Sequence, residues 1–112
     1  MVKIAVLVPI YKDDLDPLER YSLNHSLTVL AGREVFFIGP RSMDRRFYSE
    51  HYGSVPCRQF DAPYFESVSG YNRLLLSPEF YAHFIDYEFV LILQTDAVIL
   101  RDELEFWCEQ PF

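Results

Sequence analysis

The chain has 112 residues, half of them hydrophobic, which is enough for one domain with a single core and excludes a disordered chain. Seventeen acidic residues against ten basic ones set the net charge at −7. Such a surface repels a polyphosphate backbone, so nucleic acid is not an expected partner.

From Lys3 to Ile10 the chain runs through Ile, Val, Leu and Ala with no polar alternation, the pattern of a strand covered on both faces inside a parallel sheet. Pro9 lies near its carboxyl end, where a missing ladder donor costs least. The run is short and flows into Lys12-Asp13-Asp14, so it reads as a buried strand and not as a signal peptide. No stretch approaches the roughly 20 apolar residues of a membrane span. A soluble, cytoplasmic protein is expected.

Asp16-Pro17-Leu18-Glu19 is a capping box with proline at the first helical position. It predicts a helix whose apolar face carries Leu18, Leu23, Leu27 and Leu30, stopped at Gly32. A second buried strand follows over 34–39 and ends in Gly39-Pro40. Ser42 is the expected cap of a helix running through Tyr52, closed by Gly53. Residues 55–60 form a weaker strand, placed at an edge or a first position by Pro56. Ser67 opens a helix over 68–76, and Ser77-Pro78 ends it and starts another over 78–85. Residues 87–93 are the most hydrophobic strand and lead into Gln94-Thr95-Asp96. An apolar piece over 97–100 then precedes a second capping box, Asp102-Glu103-Leu104-Glu105, whose helix carries Phe106 and Trp107.

This alternation specifies a single α/β domain over 1–112, with a mostly parallel sheet, helices on both faces and right-handed crossovers. Ten Phe and eight Tyr call for dense aromatic packing or for a surface that something else covers. Cys57 and Cys108 lack the spacing of a redox pair or a zinc site, and are expected as reduced, mostly buried thiols. His25, His51 and His83 lie singly in predicted helices with no metal spacing.

Open parallel sheets bind ligands beyond the carboxyl ends of their strands. Three segments are expected to converge there: 9–14, 39–42 and 94–96. Asp96, at the end of a buried strand, has two readings. Its partner is a divalent cation bridging a diphosphate, or it is backbone at a strand-to-loop junction. Gly70 costs a helix about 1 kcal/mol against alanine, so it too needs a reason. One is close approach of a ligand, with Arg73 pairing phosphate oxygens; the other is a tight crossing with Arg73 solvated. Alone, Tyr11-Lys12-Asp13-Asp14 is a charged turn. The sequence contains no Gly-x-Ser-x-Gly, P-loop or Gly-x-Gly-x-x-Gly, so hydrolase, NTPase and dinucleotide functions lose support.

Three motifs in order are Val6-Leu7-Val8-Pro9-Ile10-Tyr11, Ser69-Gly70-Tyr71-Asn72-Arg73-Leu74 with Ser77-Pro78-Glu79-Phe80-Tyr81, and Leu93-Gln94-Thr95-Asp96-Ala97 with Arg101-Asp102-Glu103-Leu104 and Trp107-Cys108. Together they resemble an uncharacterised domain family classed as glycosyltransferase-like, of the GT-A type, over essentially the whole chain. The resemblance implies the N-terminal, nucleotide-sugar-binding half of a truncated GT-A (nucleotide-diphospho-sugar transferase) fold, with a nucleotide-diphosphate sugar as ligand. It implies that Pro9 and Tyr11 cradle the nucleoside, and that Gly70, Asn72 and Arg73 face the diphosphate. Gln94 and Asp96 then stand where the family carries an Asp-x-Asp motif that contacts the ribose and a divalent metal, Mn²⁺ or Mg²⁺, with Asp96 as the metal ligand. Gln94 departs from that motif: an amide hydrogen-bonds a ribose hydroxyl but adds no charge. The second strand ends in Gly39-Pro40-Arg41, where the family usually places an acidic residue that reads the base. A full GT-A domain continues with an acceptor half and its catalytic base. The expectation is therefore a domain incomplete for transfer on its own, completed by a missing C-terminal half or a partner chain. The alternative is a catalytically inactive interaction module, with Phe106, Trp107 and Phe112 building a homo-oligomer interface.

Overall fold

Apolar runs become the strands of the sheet, and capping signals set most of the helices between them. The computed structural model of the protein describes residues 3–95. In chain order these form β1 (Ile4–Pro9), α1 (Pro17–Val29), β2 (Glu34–Pro40), α2 (Arg46–His51), β3 (Cys57–Phe60), a 3-10 turn (Ala62–Phe65), α3 (Val68–Leu75), α4 (Pro78–Ala82) and β4 (Phe89–Ile92). The piece expected over 97–100 and the helix after the second capping box lie outside the described residues.

The strands make one four-stranded sheet in the order β3-β2-β1-β4, with every pair parallel. All six residues of β1 are buried, because both faces of this central strand are covered. Val6 and Val8, with Ile10 just beyond the strand, pack with Leu23 of α1, Leu30 just past its end and Tyr48 of α2. Ala5 and Leu7 face the other way, onto Leu74 of α3 and Phe80 of α4. The fold is thus α/β, with helices on both faces of a parallel sheet. Aromatic rings fill both layers. Phe37 meets Tyr48 and Tyr52 edge-on at 5.3 and 5.8 Å, and Phe36 meets Phe84 and Tyr87 at 5.6 and 5.9 Å. The aromatic richness of the sequence is spent largely on packing.

Connectivity decides where a ligand can enter. The chain steps outward from β1 to β2 to β3, then returns to place β4 on the opposite side of β1. The strand order reverses between β1 and β4, the position at which open parallel sheets bind ligands beyond the carboxyl ends of their strands.

Several local expectations are corrected. Leu18 is 71% exposed and contributes nothing to the core; Glu19 is the buried residue of that first turn. Ser42 does not cap α2. Instead the Arg46 N–H donates to the Asp44 carboxylate at 3.0 Å, which also holds the Arg46 guanidinium at 2.7 Å, and the helix starts only at Arg46. β3 begins at Cys57, because Pro56 has no N–H; its carbonyl still accepts the Phe37 N–H at 2.8 Å. α4 ends at Ala82, where its bonds tighten to the i→i+3 pattern in Phe84 N–H to Tyr81 carbonyl. The 3-10 turn after β3 has no counterpart in the predicted elements. By contrast, α1 carries the full capping box on Asp16 and Glu19, and Gly32 takes φ +92° just after it. Cys57 is a free, half-buried thiol whose pKa burial pushes up, while Cys108 lies outside the described residues.

The 3-10 turn explains Gly70. A Cβ there would lie 2.5 Å from the Pro63 carbonyl oxygen and 3.2 Å from the Ser67 hydroxyl. The roughly 1 kcal/mol that alanine gains in a helix cannot offset a backbone contact that close. Gly70→Ala is therefore expected to lower the unfolding free energy by about 1–3 kcal/mol in chemical denaturation. A variant as stable as the parent would show that the turn gives way freely.

Candidate functional site

The site is built from the first turn of α1 outward. The Asp16 carboxylate accepts the Glu19 N–H at 2.8 Å, which closes the capping box and fixes the Glu19 backbone. The Glu19 side chain then reaches two other segments. Its Oε1 pairs with the Lys12 ammonium in the loop after β1. Its Oε2 accepts the Thr95 hydroxyl at 2.8 Å, in the loop after β4, with both groups buried. The Asp16 N–H approaches Oε1 at a long 3.4 Å. Burial raises the pKa of Glu19, but the bonds from Lys12, Thr95 and Asp16 outweigh it and hold the carboxyl at about 2. The same bond to Glu19 raises the Lys12 pKa. The Tyr48 hydroxyl, its own pKa pushed up by burial and neighbouring carboxylates, donates to the Lys12 carbonyl at 2.8 Å and brings α2 into the network.

Beside this network lies a cleft of about 240 Å³. Pro9 and Tyr11 line it from the β1 exit and Gln94 from the β4 exit. Phe65 and Glu66 close one side, and Ser67, Val68 and Tyr71 bring in the first turns of α3. The Ser67 hydroxyl accepts the Gly70 N–H at 2.9 Å, leaving the Val68 and Ser69 N–H groups without intrahelical acceptors at the positive end of the helix dipole. Tyr11 is 59% exposed, an aromatic ring left in solvent at the mouth. The Tyr71 hydroxyl oxygen is buried and has no hydrogen-bond partner among the described residues. Burial raises its pKa. A larger groove of about 580 Å³ runs between the end of α1 and the approach to β3, past Ala31, Glu34, His51 and Pro56. It sits at the amino ends of the strands, where among the described residues no strand-exit loop or helix N-terminus opens, and the smaller cleft is the better candidate.

Pro9, Tyr11 and Gln94 thus come together as the sequence led us to expect. Gly70 does not line the cleft; it is buried against the 3-10 turn. Asn72 and Arg73 are exposed on α3, outside the lining set. Asp96 lies outside the described residues. Of the three segments expected to converge, the one after β2 goes elsewhere. Arg41 bridges Asp61 at 3.1 Å and Glu79 at 3.2 Å, tying that exit to α4. His25, His51 and His83 are all exposed. Among the described residues no group of three or more His, Cys, Asp or Glu could hold a metal ion, and no helix is long and apolar enough to cross a membrane. Sequence reasoning missed Glu19, Thr95, Phe65 and Tyr71. The capping box accounted fully for Glu19, and no local signal marks a threonine as the donor to a carboxylate 76 residues away.

Residues 54–112, more than half of the chain, match the family described as protein of unknown function (DUF5672), and the chain belongs to that family. The match takes in β3 through β4 and the motifs around Gly70 and Gln94, while Pro9, Tyr11 and Glu19 lie ahead of it. The chain matches no curated protein and no solved structure.

The folded pKa of Glu19 lies below its unfolded value of 4.5, so its stabilisation is complete above that pH and is lost as pH falls toward 2. The shift corresponds to a contribution on the order of 2–3 kcal/mol, after allowing for screening at the half-exposed Lys12. Denaturation at stepped pH is expected to show the parent losing this amount relative to Glu19→Gln across that window. Parallel pH profiles for the two proteins would contradict the assignment.

Proposed function

We propose that the protein is a glycosyltransferase-like domain that binds a nucleotide-diphosphate sugar in the cleft between the exits of β1 and β4. The observation that carries this proposal is the position of the cleft. It opens where the strand order reverses, with the first turn of α3 facing into it, and such crevices suit a nucleotide. Tyr11 offers an exposed ring for a base, backed by the apolar walls of Pro9 and Phe65. Gln94 offers an amide to a ribose hydroxyl. The Val68 and Ser69 N–H groups suit phosphate oxygens, and Asn72 and Arg73, exposed on the same helix, remain the proposed polar partners of the outer diphosphate.

Charge is the opposing factor. Glu66 lines the cleft and the whole chain carries −7, so a bare diphosphate meets repulsion there. A divalent cation, Mn²⁺ or Mg²⁺, entering with the ligand and held by Asp96 would neutralise it. Mg²⁺ commonly takes only one or two carboxylates, with phosphate and water completing the shell, so a preformed protein cage is not required. Glycosyl transfer is proposed to depend on groups beyond those that line the cleft, from a C-terminal half or a partner chain.

Titration calorimetry with uridine and guanosine diphosphates and their sugars is expected to show binding that Mn²⁺ strengthens. Tyr11→Ala and Gln94→Ala should each weaken it about 5- to 10-fold, the loss of roughly 1 kcal/mol of contact. Asp96→Ala should remove the metal-dependent part and leave the fold intact. No binding of any of these ligands, with or without metal, would sink the proposal.

A further inference from the structure

The two loops that bound the cleft are held by one carboxylate that does not itself line it. Tyr11 lines the cleft, and its neighbour Lys12 pairs with Glu19 Oε1. Gln94 lines it from the other side, and its neighbour Thr95 donates to Glu19 Oε2 at 2.8 Å. Each oxygen of the carboxylate therefore grips the residue next to a lining residue, one per loop.

The sheet cannot set this spacing. The β1–β4 register ends at the Leu7–Ile92 pair, and the Leu93 N–H to Leu7 carbonyl bond at 2.8 Å is the last ladder contact before the strands part. Beyond that point Tyr11 and Gln94 lie on separate loops that share no ladder bond among the described residues. Capping does not explain where the Glu19 side chain points, because its bond to the Asp16 N–H is 3.4 Å, at the weak end of the range, while Thr95 is at the optimum for a hydroxyl donor. The Glu19 backbone is meanwhile locked into the first turn of α1, so its side chain reaches both loops from a fixed base.

We infer that Glu19 is a positioning residue, whose carboxylate, through Thr95 and Lys12, sets the separation of Gln94 and Tyr11 across the cleft and so the affinity of the cleft for its ligand. The tether is independent of ligand identity; its effect on affinity rests on the nucleotide-sugar proposal. Thr95→Val keeps the side-chain shape and deletes the hydroxyl, whereas Thr95→Ser keeps the hydroxyl.

Amide NMR spectra of the ligand-free variants test the tether. Thr95→Val is expected to shift the Tyr11 and Lys12 resonances, on the opposite loop, together with that of Gln94, leaving Cys57 and Arg58 of β3 in place; Thr95→Ser should return them toward the parent positions. Tyr11 and Lys12 unmoved by Thr95→Val would overturn the inference. Uridine diphosphate with Mn²⁺, titrated where both variants are fully folded, tests the consequence. A bond to a buried charge is worth enough that Thr95→Val should weaken binding about tenfold, with Thr95→Ser within about twofold of the parent. Equal affinity of parent and Thr95→Val would overturn the positioning role, since a purely structural bond changes stability and not the affinity of the folded protein. If the parent binds no nucleotide while Tyr11 and Lys12 still shift, the nucleotide proposal fails and the tether stands. Should Thr95→Val not fold, Glu19→Gln reads out the same coupling through the Lys12 and Gln94 resonances.

Discussion

Glu19 keeps its charge where only 11% of its side chain meets solvent, and an ion taken out of water needs donors around it. The donors come from two places: Lys12 and the Asp16 N–H in the connection between β1 and α1, and Thr95 in the loop after β4, 76 residues from Glu19. Removing one leaves a buried charge short of partners, so these segments are not free to move separately. Tyr48 extends the constraint to α2 by holding the Lys12 carbonyl. The carboxyl end of the sheet is thus organised by polar contacts around one anion, while the remainder of the protein is organised by apolar and aromatic packing on either side of β1.

That division follows from topology. β1 is central and buried on both faces, so its side chains can be wholly apolar, and its exit marks the point where the strand order turns back toward β4. Polar groups accumulate there because backbone and side chains leave the sheet and must find partners outside the ladder. Tight contacts elsewhere keep neighbouring segments away from the crevice. The Pro63 carbonyl presses on Gly70, and Arg41 fastens the β2 exit to Asp61 and Glu79. What remains open is bounded by Tyr11, Gln94 and the first turn of α3.

The family match and the cleft divide the chain differently. The matched residues, 54–112, supply α3, Gln94 and Thr95; the residues before them supply Pro9, Tyr11, Lys12 and Glu19. The cleft therefore takes one wall from each part, and the Glu19–Thr95 bond crosses between them.

Much of the fold was legible because its signals are short-range. An apolar run, a capping box at Asp16 and Glu19, a serine before a helix at Ser67 or Ser77 and a proline at a strand edge all act within a few residues of themselves. The exceptions are instructive. Ser42 has the chemistry of a cap, but α2 starts after Arg45 with no side-chain cap and Asp44 takes the Arg46 N–H and guanidinium instead, and Leu18 fits the helical period but points away from the sheet. For the site, the sequence by itself determined that Pro9, Tyr11 and Gln94 stand at strand exits, because strand ends can be read from hydrophobicity. Only the tertiary structure decided that Gly70 serves packing and that Glu19 binds Thr95. The first is a short-range contact with a 3-10 turn that no residue pattern announced; the second joins residues 76 apart, and pairing across that distance depends on how the strands order themselves and not on any local preference of the residues involved.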